Sequence, residues 1–150
     1  MIYLDTSVAL AHLLAEDRHP PDELWGSTVV SSRLLEYELW TRLHARDLAK
    51  SHGDAARALF ARVALIELAP TVLARATEAF PVPVRTLDAI HLASADFLRA
   101  QRQTVVLASY DDRMLEAAEL LGIPAWPPCA RAPGRGALPA GPNKGSKGGR

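Results

Sequence analysis

Short apolar runs alternate with longer stretches of helical periodicity along most of this chain, and no other feature limits its fold as tightly. Ile2 to Leu4, Thr28 to Ser31, Ile66 to Leu68, Val105 to Ala108 and Ile123 to Trp126 have the length and content of strands. Between them the spacing predicts a helix from about Ser7 to Ala15 and a short one at Leu24 and Trp25. A long helix from Arg33 to Ala49 follows, then another from Gly53 and Asp54 through Val63, and one from Thr71 to Ala79. Thr86 can cap a helix that runs to about Arg102, Asp111 can cap the last one, and Gly122 sits where a helix ends. Strands separated by helices pair in parallel and need cover on both faces, so the expected class is α/β, a parallel sheet between helical layers. In such sheets ligands bind beyond the carboxyl ends of the strands. Asp5 and Asp111 fall there.

With 150 residues, 49% of them hydrophobic, the chain can build one domain with a real core. Residues 1–129 are read as that domain. Residues 130–150 hold six glycines and three prolines and are expected to form a disordered basic tail. No run approaches the roughly 18 apolar residues of a membrane span, and no basic segment precedes the first apolar stretch, so no membrane partner and a cytoplasmic location are expected. Cys129 is the sole cysteine, which excludes an intramolecular disulfide and a thiolate metal cluster. Any metal must be held by oxygen or imidazole.

The formal net charge of zero hides an asymmetry. Arg131, Arg135, Lys144, Lys147 and Arg150 follow Cys129 and no acid does, so residues 1–129 carry an excess of five negative charges. Such a body does not bind nucleic acid by counterion release alone. Lys50 is the one lysine before the tail. Guanidinium suits bidentate phosphate contact, although a GC-rich coding sequence gives the same bias.

Four acids stand at element boundaries or inside helices: Asp5, Glu38, Asp88 and Asp111. Gathered in one place they would repel one another, and a divalent cation would relieve the repulsion. Each also has an ordinary reading. Asp5 can cap the first helix, and Thr6 and Ser7 beside it can orient its carboxylate or merely form a turn. Glu38 can pair with Arg42 four residues on, and Glu36 competes with it, though residues two apart on a helix cannot both face one pocket. Asp88 and Asp111 suit first helical turns through the macrodipole. His91 shares a face with Asp88 and reads either as a phosphate or proton-transfer group or as a packed helical histidine. Asp96, about 12 Å along the axis from Asp88, reads as a surface residue.

Met1-Ile-Tyr-Leu-Asp-Thr-Ser7, Ser32 six residues before Glu38, Arg85-Thr-Leu-Asp-Ala-Ile-His-Leu-Ala93 and Ala108-Ser-Tyr-Asp-Asp-Arg-Met-Leu115 together resemble the PIN-domain ribonucleases, and within them the VapC-type toxins. The resemblance spans about residues 1–129 and is most specific in the block around Asp88. It implies a PIN-like three-layer fold with about five parallel strands. It also implies Mg²⁺ or Mn²⁺, RNA as substrate, a homodimer and a cognate antitoxin protein. Asp5, Glu38, Asp88 and Asp111 take the family's acidic positions, with Asp5, Asp88 and Asp111 as metal ligands. Thr6, Ser7, Ser109 and Asp112 are candidates for supporting contacts, and Arg85 and Arg113 for phosphate. The implied reaction is hydrolysis of RNA by metal-activated water, leaving a 5′-phosphate and a 3′-hydroxyl.

Two other classes compete. An aspartate-dependent phosphatase or receiver domain also opens with a strand ending in Asp, but it wants a second Asp where Ser7 stands and a lysine near the phosphate. A non-catalytic interaction module would use Leu14, Trp25, Tyr37, Trp40 and Phe60 as an exposed apolar surface.

Overall fold

The computed structural model describes residues 1–129, so the tail expected from Ala130 onward lies outside the described residues. Four strands, β1 (Ile2–Leu4), β2 (Val29–Ser32), β3 (Ala64–Ile66) and β4 (Val106–Ala108), form one parallel sheet in the order β3-β2-β1-β4. Ile2 stands opposite Val29 on one side and Val106 on the other, which makes β1 central. The fifth expected strand contributes only the bridge between Leu107 and Ala125. Pro124 lacks an N–H, and Pro127 and Pro128 stop further pairing.

Six helices flank the sheet among the described residues: α1 (Thr6–Leu13), α2 (Leu34–Ala45), α3 (Ala49–Phe60), α4 (Pro70–Ala76), α5 (Thr86–Ala100) and α6 (Asp112–Leu120). Alternate residues of β1 feed two cores. Ile2 and Leu4 pack with Val8, Leu35, Leu39, Leu43 and Leu59 on one face. Tyr3 packs with Leu92, Leu107, Met114 and Leu115 on the other. Burial on both faces explains why β1 is an unbroken apolar run rather than an alternating one. No helix among the described residues is long and apolar enough to cross a membrane.

The helix expected over Arg33 to Ala49 ends sooner, as α2 at Ala45, and the next one, expected from Gly53 and Asp54, already begins at Ala49. Asp47 takes φ 56°, which reverses the chain after α2, and α3 starts at Ala49 with Gly53 inside it. A Cβ on Gly53 would come within 3.4 Å of the Trp40 ring, so this glycine gives close helix packing rather than a helix start. Thr86 is the first helical residue of α5, not its cap. Arg85, with extended backbone after Pro81 and Pro83, takes the cap position without a side-chain hydrogen bond. Asp111 does cap α6, accepting from the backbone N–H groups of Arg113 and Met114. Gly122, at φ 77°, ends that helix as expected.

Candidate active site

Asp5, Glu38, Asp88 and Asp111 line one cavity of about 380 Å³ at the carboxyl ends of the strands. Four different elements deliver them. Asp5 follows the central strand β1 and caps α1, Glu38 projects from α2, Asp88 lies in the first turn of α5, and Asp111 follows β4. Glu36, the competitor of Glu38, instead pairs with Arg33.

Each of three carboxylates has one oxygen fixed by the protein. Asp5 is buried, and its Oδ2 accepts from Ser7 Oγ at 2.5 Å, Ser109 Oγ at 2.8 Å and the Ser7 backbone N–H at 3.3 Å. Glu38 Oε2 accepts from Thr6 Oγ1 at 2.6 Å and from His91 Nε2 at 2.7 Å. Asp111 Oδ1 caps α6, while its Oδ2 lies 3.5 Å from Arg85 Nη1. Asp5 Oδ1 and Glu38 Oε1 accept no hydrogen bond among the described residues. Asp88 is different: its Oδ2 is buried without any hydrogen-bond partner among the described residues. Burial, then the charges of Asp111 and Asp5, raise the Asp88 carboxyl above the ordinary aspartate value, against the opposing pull of Arg85.

Burial would also raise Glu38, but its hydrogen bonds to His91 and Thr6, with the charges of His91 and Arg42, bring it below the usual value. His91 is 1% exposed. Burial alone would lower its pKa; Tyr3, the Glu38 hydrogen bond and the charges of Asp5 and Glu38 push it up to about 10. The Cys129 thiol is buried and pushed up to about 11, away from nucleophilic chemistry at neutral pH.

An oxygen-only donor set suits a hard divalent cation, and a buried aspartate oxygen with no donor, beside two other carboxylates, is the kind of group such an ion completes. The fit lies in this donor set rather than in preformed geometry. Among the described residues no group of three or more His, Cys, Asp or Glu is arranged to hold a metal ion.

Several supporting residues take roles other than those expected. Thr6 serves Glu38 rather than Asp5, because the first turn of α1 points its hydroxyl toward α2. Ser7 and Ser109 both hold Asp5, and Ser7 Oγ also accepts from the Tyr110 backbone N–H at 2.9 Å. Arg85 lines the cavity. Asp112 and Arg113 do not, since each step past the Asp111 cap turns the side chain about 100° around the helix. Arg18, Arg42 and Arg46 line the cavity as well. Arg18 and Arg46 had no local sequence signal; Arg42 was visible only as a helical neighbour of Glu38. Asp96 is no free surface group, for it accepts from Arg75 Nε at 3.1 Å and Arg99 Nη2 at 2.8 Å.

A cavity of about 650 Å³ lies elsewhere and is mainly apolar, lined by Leu73, Phe80, Val82, Val84 and Ile90. It shares Arg85 with the acidic cavity but holds none of the four acids, so the chemistry is assigned to the smaller one. Of the five residues offered for an interaction surface, only Tyr37 is strongly exposed, at 65%. Leu14, Trp25, Trp40 and Phe60 pack against the core.

The family model described as PIN domain matches residues 2–120. Ribonuclease VapC46 of Mycobacterium tuberculosis (strain ATCC 25618 / H37Rv) is 35% identical over 133 residues, covering 81% of this chain and 93% of that relative. Ribonuclease VapC35 of the same strain is 34% identical over 129 residues, covering 82% and 93%. Ribonuclease VapC47 of Mycobacterium tuberculosis (strain CDC 1551 / Oshkosh) is 30% identical over 129 residues, covering 81% and 93%.

Proposed function

The chain belongs to the PIN-domain family, and from that premise we propose that it is a divalent-metal-dependent endoribonuclease, the toxin of a VapC-like toxin–antitoxin pair, with residues 1–129 as the nuclease unit. The observation that carries the reading is the meeting of Asp5, Glu38, Asp88 and Asp111 in one cavity, with a buried Asp88 oxygen that has no donor among the described residues.

Asp5, Asp88 and Asp111 would hold the ion, with Mg²⁺ as the proposed ion and Mn²⁺ as its substitute. When bound, the cation supplies a Lewis acid that makes water nucleophilic at neutral pH and offsets charge at phosphorus. The remaining work falls to the chain's own groups. Ser7 and Ser109 keep Asp5 Oδ2 fixed, which leaves Oδ1 for the cavity. Glu38, kept ionised by its two donors, accepts a hydrogen of the attacking water and so sets the direction of attack. Arg85 faces the acids from the rim, where a guanidinium can bind a phosphate oxygen of RNA. In-line attack breaks the bond from phosphorus to the 3′-oxygen, giving a 5′-phosphate and a 3′-hydroxyl.

RNA, a cognate antitoxin protein and a second copy of the chain are the proposed partners. The test is purified protein with RNA in millimolar Mg²⁺ or Mn²⁺, compared with chelator and with Asp5→Asn. Cleavage only with metal and only by the wild type is expected. Equal cleavage by Asp5→Asn and Asp88→Asn would refute the site assignment. Inducible expression, with growth arrest relieved by an antitoxin encoded beside the gene, tests the toxin reading.

A further inference from the structure

His91 is a histidine that the nuclease reading leaves without a task. It lies on α5, is 1% exposed, and touches polar groups from four elements. Its Nε2 is 2.7 Å from Glu38 Oε2. A carboxylate oxygen only accepts, so Nε2 carries a proton and donates. Its Nδ1 meets the Tyr3 hydroxyl at 3.0 Å, a partner that serves either protonation state. The backbone N–H of Ser32 in turn donates to the Tyr3 hydroxyl at 3.2 Å. A chain of contacts therefore runs from the end of β2 through β1 and α5 to α2.

Resting on the nuclease reading, the geometry points to His91 as a positioning residue that fixes Glu38 by one oxygen and leaves the other free to direct the attacking water. Two donors, Thr6 Oγ1 and His91 Nε2, converge on Oε2, while Oε1 has no donor among the described residues. A glutamate on a helix face otherwise samples many rotamers, and two donors on one oxygen select both the rotamer and the oxygen left over. Stability is a poor reason for the pair. Replacing a buried ion pair by well-packed apolar residues is often neutral or stabilising, so a buried His91 behind Glu38, which does line the acidic cavity, is explained by orientation.

The experiment uses the full chain, Mn²⁺, and a fluorophore–quencher RNA pool of randomised sequence. Wild type, His91→Leu and His91→Gln are compared alone and in a Glu38→Ala background. His91→Leu is expected to lower kcat by about 10²-fold, the scale of a misplaced group, with KM little changed. His91→Gln keeps an N–H donor at a similar reach and is expected to restore most of that loss. In Glu38→Ala, His91→Leu should cost nothing further, because its effect passes through a side chain already removed. In metal-free protein, the carboxyl-carbon NMR resonance of Glu38 should move in His91→Leu and stay near its wild-type position in His91→Gln. Equal losses with and without Glu38, or wild-type kcat in folded His91→Leu, would overturn the inference, as would a fall in Mn²⁺ affinity that matches the fall in kcat. If His91→Leu does not fold, Thr6→Val removes the other donor and must show the same dependence on Glu38. An inactive wild type with metal bound would instead sink the nuclease reading itself.

Discussion

Ser109 and Asp5, 104 positions apart in the chain, are joined by a buried hydrogen bond of 2.8 Å from Ser109 Oγ to Asp5 Oδ2. It ties the turn after β4 to the end of the central strand, and Ser109 Oγ also accepts from the Asp111 backbone N–H at 3.1 Å. One hydroxyl thus sets the spacing of two acids. Ser109→Ala should lower metal-dependent cleavage by about tenfold, within the range seen when a group supporting a metal ligand is removed. Ion titrations that follow cleavage should show part of the loss recovered at higher Mn²⁺. A rate equal to the wild type at every Mn²⁺ concentration would show that Ser7 alone suffices.

Asp88, a proposed ligand of the ion, sets stability against that proposed role. Its carboxyl is raised, so its stabilising contribution is complete below the ordinary value of 3.8 and is lost as pH rises through the higher folded value. At neutral pH without metal, its ionised form strains the fold. Asp88→Asn should therefore melt at a higher temperature than the wild type in chelator while losing cleavage. Millimolar Mn²⁺ should raise the wild-type melting temperature more than the variant's. Scanning calorimetry decides both, and a variant less stable than the wild type in chelator would contradict the repulsion.

The His91–Glu38 pair sets a pH window with two edges. Glu38 is lowered, so its contribution is present above the ordinary value of 4.5 and is lost as pH falls through the folded value. His91 is raised, so its contribution is complete below 6.5 and fades as pH rises through about 10. Between these limits the unfolded state binds fewer imidazole protons than the folded one, and stability falls with pH. Urea unfolding from pH 6.5 to pH 10 should show that decline in the wild type, and a shallower one in His91→Gln. Parallel curves would mean that His91 titrates as it does in the unfolded chain.

The turn at Asp47 tests the division between α2 and α3. At φ 56° a β-branched side chain is strained, and Asp47→Val should destabilise the protein by roughly 1–2 kcal/mol. Cleavage at a temperature well below melting should be unaffected, since Asp47 does not line the acidic cavity. Unchanged unfolding in urea would argue for a continuous helix.

The sequence was legible where local pattern and tertiary role coincide. Asp5 and Asp111 follow apolar strands and precede helices, so their places at the sheet edge could be read directly, and β1 is apolar enough to be recognised alone. The α2–α3 break was expected a few residues too late because Leu39, Leu43 and Leu48 continue an apolar spacing through it, and an Asp at positive φ looks like any other Asp. The partners of Thr6 and His91 were illegible for another reason. Their hydrogen bonds cross 32 and 53 positions, and nothing near either residue encodes what a different helix will bring. Arg18 and Arg46 were obscured by distance in the same way.

Arg85 is a wall common to two chambers, one charged and one greasy. A small molecule built for the greasy side would meet Arg85 and none of the four acids. Shifting that single guanidinium strips Asp111 of its nearest counter-ion and leaves the carboxylates to repel one another. Inhibitor chemistry for this chain can begin beside Phe80 and Ile90.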